Sequence, residues 1–261
     1  MGGKTVAVLC GWAGLAASPL AWGQGVISSA AATFTVEAFH FDTSPAASFS
    51  GVSSPLGTDH VFEAGWWYRV AGDGAEKFFP VPDLQDYAGS TATLTWNDVD
   101  ARGFTAVKVL TVVDAGGPSG HVETVLTITN NTARPLGLDV FHMFDPSLAG
   151  TFGNDSATLA TPNDHILVTD GSATVTGEYR GIGASAFLVR AAGVGDVASE
   201  LSDANVDDFN NSGLPFGPGD LTAGFQWTTV DVPPGGQQTY RVVFSINTAA
   251  VPVELIGFEV Q

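Results

Sequence analysis

Residues 141–155, FHMFDPSLAGTFGND, gather a histidine, two aspartates and an asparagine around a glycine-rich turn. Glycines let backbone carbonyls converge, and Asp145, Asn154 and Asp155 supply side-chain oxygens, the donor type that calcium takes. The spacing matches no named calcium loop, so the same residues also read as caps of ordinary turns. A second stretch, DANVDDFNNSG (203–213), lies nearer to a calcium loop. Asp203, Asn205 and Asp207 alternate there as at the start of D-x-[DN]-x-D, with Asp208 following. Position six is Asp208 rather than glycine and position twelve is Leu214 rather than glutamate. An EF-hand is therefore excluded, and an irregular calcium site is the chemical expectation. Asp98 and Asp100 in WNDVDARG form a weaker set.

Aromatic residues offer a different chemistry. In GWWYRV (65–70) successive side chains of a strand face opposite ways, so Trp66 and Tyr68 share one face and Trp67 takes the other. With Trp227 they are the candidate ligand-binding residues, an exposed platform on which a sugar ring stacks. The competing reading buries all four in a large core.

Other chemistries lack their parts. The five histidines, His40, His60, His121, His142 and His165, form no H-x-x-x-H pair, and Cys10 is the single cysteine, so no zinc set arises. Gly181, Gly183 and Ala186 fit G-x-G-x-x-A, but a strand pattern rather than a helix follows, which rules against a dinucleotide site. Ser119 lacks the flanking glycines of a nucleophile elbow. An enzyme would need two of His142, Asp145, Asp155 and His165 to meet in one cleft with shifted pKa values. The expectation is that the chain is not an enzyme.

Charge narrows the partners. Lys and Arg total 9 against 27 Asp and Glu, a net charge of −18. A phosphate polymer needs clustered cations, so nucleic acid is not expected. Nineteen of the acids are Asp and eight are Glu. That bias suits turns, where a short carboxylate bonds its own backbone, more than helices.

Lys4, an apolar run from Thr5 to Ala17, Pro19 and the small residues Ala21 and Gly23 read as a signal peptide over residues 1–23. The run is too short to span a bilayer, which takes about 20 residues. Export to the extracellular space or cell surface follows as an expectation, with no membrane-spanning segment after cleavage. Without disulfides such a chain relies on its core, and its length suffices for one large domain.

The elements that must position these residues follow from period-two patterning. Twelve segments alternate apolar and polar residues between Gly, Pro, Asn or Asp boundaries: 33–41, 61–70, 91–96, 104–114, 121–130, 136–144, 165–170, 173–179, 185–191, 225–232, 239–246 and 253–260. Only 194–209 has helix-like spacing, through Val197, Glu200, Leu201 and Ala204. The fold class predicted is all-β, an antiparallel sandwich of about twelve strands with at most one short helix. A single domain is expected over residues 24–250, with 251–261 as a last strand or tail. Segments 104–114, 121–130 and 136–144 are expected to form a three-stranded meander, joined by a long hairpin loop at 114–120 and a turn at 131–135. In the third of these, Leu136, Leu138, Val140, His142 and Phe144 share one face and Asp139, Phe141 and Met143 the other.

The run LDVFHMFDPSLAGTFGNDSA (138–157), followed by ILVTDGSATVTG, resembles the β-supersandwich domain that precedes the catalytic barrel of bacterial glucoamylases and glucodextranases. The resemblance implies a non-catalytic domain and transfers no active-site residue. The ending VPVELIGFEVQ is similar to the P-V-E-L-x-x-F-x-V tail of secreted bacterial proteins. Two functions follow as expectations. The first is a structural or adhesive β-sandwich acting on extracellular polysaccharide or cell-surface components. The second is a carbohydrate-binding module, with calcium as the one cofactor to consider.

Overall fold

The computed structural model describes residues 25–36, 47–52, 58–171 and 175–247. The leader, His40 and the C-terminal tail lie outside them. Seventeen strands occur among the described residues: β1 Val26–Ser29, β2 Ala32–Thr35, β3 Ser48–Ser50, β4 Val61–Val70, β5 Lys77–Phe78, β6 Leu84–Ala88, β7 Thr91–Trp96, β8 Phe104–Gly116 and β9 Ser119–Asn130, then β10 Leu136–Pro146, β11 Asp155–Thr161, β12 His165–Thr169, β13 Thr176–Ile182, β14 Ala186–Ala191, β15 Phe216–Gly219, β16 Leu221–Val232 and β17 Gln237–Ile246. One α-helix, α1 Val197–Leu201, interrupts them.

All strand pairings are antiparallel and make three open sheets. Their orders are β1-β2-β3, β14-β16-β10-β4-β5 and β15-β11-β12-β13-β17-β9-β8-β7-β6. The all-β sandwich expected from the sequence is the fold observed. Eleven of the twelve alternating segments overlap strands where they are described, with 37–41 and 173–174 outside the described residues, and the twelfth lies wholly beyond them. Five of the six further strands, β1, β3, β5, β6 and β15, are short pieces at sheet edges, where little apolar surface needs patterning.

The meander is a correction. β8 and β9 do pair, but the hairpin is tight, with Gly116 opposite Ser119, and β10 leaves for the opposite sheet. β17 takes the place beside β9. The reason lies in burial. β9 alternates buried and half-buried residues along its length, whereas β10 is buried on both faces from Leu138 to Pro146 apart from its start. A strand apolar on both sides needs a central position in a sheet covered twice.

The five-stranded sheet is that sheet. Its inner face meets the nine-stranded sheet in an aromatic core: Trp227 meets Tyr240 at 5.7 Å, Phe144 meets Phe244 at 4.3 Å, and Phe225 meets Tyr179 at 4.5 Å. Its outer face is roofed by the segment 192–215, which carries α1. Trp67, Phe141, Met143 and Leu188 from the sheet pack there against Val197, Leu201 and Phe209. The roof presses closely, since a Cβ on Gly224 of β16 would stand 2.7 Å from Phe209. Asp196 caps α1 by accepting from the Ser199 N–H at 2.7 Å.

Candidate functional site

The four aromatic residues singled out by the sequence are core residues. Trp66, Trp67, Tyr68 and Trp227 expose 2%, 1%, 0% and 6% of their surface. The stacking platform on these rings is therefore corrected: a strand buried on both faces hides Trp67 as well as Trp66. His142 is interior too. Its Nδ1 lies 2.7 Å from the Tyr179 hydroxyl, which donates to the His142 carbonyl at 3.1 Å, and burial holds its pKa well below the usual histidine value.

The acidic stretch 203–213 is taken up by the protein itself. Asp203 accepts from the Asn205 N–H and from its side-chain amide, closing a turn. Asp208 accepts from Arg69 at 2.5 Å and from Gln226 at 2.9 Å, and the Arg69 bond lowers its pKa. The Asp207 N–H donates to Glu76, and burial raises the Asp207 carboxyl. In the other loop Asn154 donates to Asp170, and the Asp155 carboxylate receives a long 3.4 Å bond from the Leu148 N–H. Among the described residues, no three His, Cys, Asp or Glu side chains converge so as to hold a metal ion. The expected calcium sites thus lack a converging carboxylate set among the described residues: Asp203 and Asp208 are engaged by nearby donors, while Asp145 Oδ1, Asp155 Oδ1 and Asp207 Oδ2 are buried apart from one another without a partner.

Asp145 behaves differently. It lies on the outer face of β10, directly opposite Glu63 of β4, a cross-strand pair of like charge. Between Asp145 and Pro146 the partner strand inserts one extra residue, since Pro146 pairs with Val61. That residue is Phe62, and the bulge turns its ring outward to 57% exposure. Phe152, 77% exposed, faces the same place from the loop after β10. His60 fixes that loop. Its Nδ1 accepts from the Ala149 N–H at 3.1 Å, so Nε2 carries the proton and donates to the Val52 carbonyl at 3.2 Å.

Phe62 and Phe152 border a cleft of about 470 Å³ whose walls include Glu63, Asp145, Asp196 and Asp220. Asp145 is 5% exposed and its Oδ1 has no hydrogen-bond partner. Burial, then the charges of Asp220, Glu63, Asp196 and Asp155, push its pKa up to about 8. Burial also raises Asp220, and it brings Asp155, which the same cluster touches, up to about 7. Of the seven residues expected to hold metal, only Asp145 lines this cleft. Asp155 interacts with it, while His142 and His165 take no part in the cleft.

Sequence reasoning missed Phe62, Glu63, Phe152, Asp196 and Asp220. Phe152 carried a local clue, a large apolar ring between glycines and polar residues in a loop. Phe62 and Glu63 carried none, because their exposure and pairing depend on the bulge.

The fold is that of a known structure. A crystal structure of a bacterial glucoamylase complexed with acarbose matches 87% of this chain with a TM-score of 0.59 at 12% identity. The match covers 32% of that chain, so this protein is distantly similar to a glucoamylase domain about a third of the enzyme's length. No protein-family profile and no curated protein matches the sequence. Among the described residues no helix is long and apolar enough to cross a membrane.

Proposed function

We propose that this chain is a non-catalytic, exported β-sandwich module that attaches to extracellular or cell-surface polysaccharide through the cleft between Phe62 and Phe152. The observation that carries the reading is the combination of two exposed aromatic rings with an interior carboxyl, Asp145, whose free oxygen awaits a donor. Sugar rings stack their C–H faces on aromatic rings and offer hydroxyls to carboxylates, so one ligand satisfies both parts. The likeness to a glucoamylase fold agrees with a carbohydrate setting. The net charge of −18 disfavours nucleic acid and anionic glycans alike. The leader residues support export, and the likeness to about a third of a glucoamylase chain rather than to all of it supports an adhesive or structural role.

A glycan array probed with the chain, and with a Phe62→Ala/Phe152→Ala double variant, tests this. Binding to one saccharide class that the double variant loses is the expected result. An array on which both proteins behave alike removes the reading. Turnover of a bound oligosaccharide would instead make Asp145, with its raised pKa beside Glu63, a proton donor in an enzyme.

A further inference from the structure

Asp145 sets the polarity of the cleft. It is 5% exposed, it stands directly across the strand pair from Glu63, and among the described residues no Lys or Arg lines the walls around it. Its Oδ1 is shut in without a hydrogen-bond partner, which leaves Oδ2 to face the cleft. The neighbouring acids have other engagements: Asp196 accepts from the Ser199 and Gly193 N–H groups, and Glu63 has a partner of its own. A carboxyl enclosed in this way, with neither a cation nor a donor beside it, keeps its proton, because protonation costs less than burying the charge. Burial and the surrounding acids raise it accordingly. A protonated carboxyl differs from a carboxylate in one respect that a ligand can read: it donates.

Resting on the saccharide reading, we infer that Asp145 meets its ligand as an uncharged O–H donor, and that the ligand is an acetamido glycan, a chain of N-acetylhexosamine units whose amide carbonyl accepts from Oδ2. Sugar hydroxyls both donate and accept, so they pair with a carboxyl in either state and make no use of the proton. An amide carbonyl only accepts and requires it. The acetyl methyl has its place against Phe62 and Phe152, the exposed rings of the same cleft. Loss of the proton sets a negative oxygen against the carbonyl oxygen, so the pairing fails in alkali. Other acids act on Asp145 from the elements around it: Glu63 of β4, Asp155 of β11, Asp196 at the start of α1 and Asp220 before β16. Asp155 and Asp220 are raised by burial as well, so a pH effect must be traced to Asp145 itself.

Titration calorimetry of the full chain with a hexamer of N-acetylglucosamine and a hexamer of glucose, at pH 6.5 and pH 9.5, decides it. At pH 6.5 the acetylated hexamer is expected to bind at least tenfold more tightly than the glucose hexamer, and at pH 9.5 to weaken tenfold or more. Asp145→Asn, whose amide donates at either pH, is expected to keep the affinity within about threefold and to abolish its pH dependence. Asp145→Leu, uncharged but without a donor, is expected to lose tenfold or more at pH 6.5. Should the Leu variant not fold, the pH profile of the Asn variant decides alone. A glucose hexamer bound as tightly as the acetylated one would overturn the acetamido inference and leave the saccharide reading standing. Failure of both hexamers to bind would also overturn it, and the glycan array then decides the wider reading. A pH dependence that survives in Asp145→Asn would assign the titration to a neighbouring acid and overturn the role of Asp145, as would an Asn variant that binds tenfold more weakly at pH 6.5.

Discussion

The outer face of the five-stranded sheet ends in two acidic clusters built on the same pair of strands, and they differ by one cation. At one end Arg69 of β4 stands opposite Asp139 of β10. Its guanidinium binds Glu76 at 2.6 Å, Asp208 at 2.5 Å and Asp139 itself. At the other end, roughly 20 Å along the strands at about 3.3 Å per residue, Glu63 occupies the equivalent position opposite Asp145. Each end has four charged groups with buried members, but only the first has a cation. The first is a joint: it ties the roof segment to the sheet, through Asp208 and a contact from Arg69 to the Asp207 carbonyl. The second borders the cleft: Asp196 caps α1 there, and Asp145 keeps one buried oxygen without a partner.

The sharpest way to break this contrast is to remove the cation. Arg69→Met strands Glu76, Asp139 and Asp208 without their partner and is expected to cost about 3–5 kcal/mol. Urea denaturation measures it, and thermolysin should cut first within 203–213, which Arg69 holds down. A loss below about 1 kcal/mol would mean that the roof stays in place by its apolar contacts alone.

Relief at the uncompensated end has the opposite sign. Asp145→Asn is expected to stabilise the fold by roughly 2–4 kcal/mol at pH 8, because it removes a buried carboxyl held against its own charge. The sign follows from linkage. The folded Asp145 carboxyl sits at about 8 and the unfolded one near 3.8, so the folded state binds the extra proton between those values. Stability therefore rises as pH falls through 8, and Asp155, at about 7, adds to the rise. Above 6.5 the histidines are neutral in both states, so the melting temperature should climb from pH 9 down to about 6.5 on the carboxyls alone. The Asn variant should flatten that climb, and a wild-type melting temperature that falls over this range would contradict the uncompensated cluster.

Below that window the histidines pull the other way. His60 is buried and its pKa is lowered, chiefly by desolvation. Its contribution is present above the unfolded value of 6.5 and is lost as pH falls below it. Replacing it, His60→Ala, should cost roughly 1–3 kcal/mol, because the Ala149 N–H and the Val52 carbonyl lose their partner. Hydrogen exchange at 148–151 should speed up in that variant more than exchange in β9.

The sandwich was legible in the sequence because alternate burial writes itself into alternate residues. β8 and β9 show it plainly, with every second residue of each interior. The path of β10 was misread, because neighbour order along the chain suggested a meander, whereas burial on both faces takes the strand to the centre of the other sheet. What the sequence hid was the site. Asp145 was visible as a residue of interest, but its meaning came from Glu63 across the strand, and that pairing depends on register. Phe62 became exposed through a single inserted residue that no composition records. The acids of 203–213 looked like metal ligands for the converse reason: Arg69 lies 134 to 144 positions earlier in the chain, and only folding brings it to them.

The smallest effect on stability belongs to a residue with a large expected effect on binding. Phe152 is 77% exposed, in a loop already anchored by His60 and by the Thr151 hydroxyl, which donates to the Leu148 carbonyl at 2.9 Å. Truncating an exposed ring with the loop held elsewhere should change stability by less than about 0.5 kcal/mol. Phe152 and Phe62 together expose two rings at one cleft, the kind of apolar patch that marks an interaction site. Phe152→Ala is therefore expected to melt within a degree or two of the parent and to lose saccharide binding about tenfold, whereas Arg69→Met loses stability and, once refolded by lower temperature, keeps its cleft. A Phe152→Ala protein that both melts much lower and binds unchanged would place the ring in the architecture and erase the distinction between the two ends of the sheet.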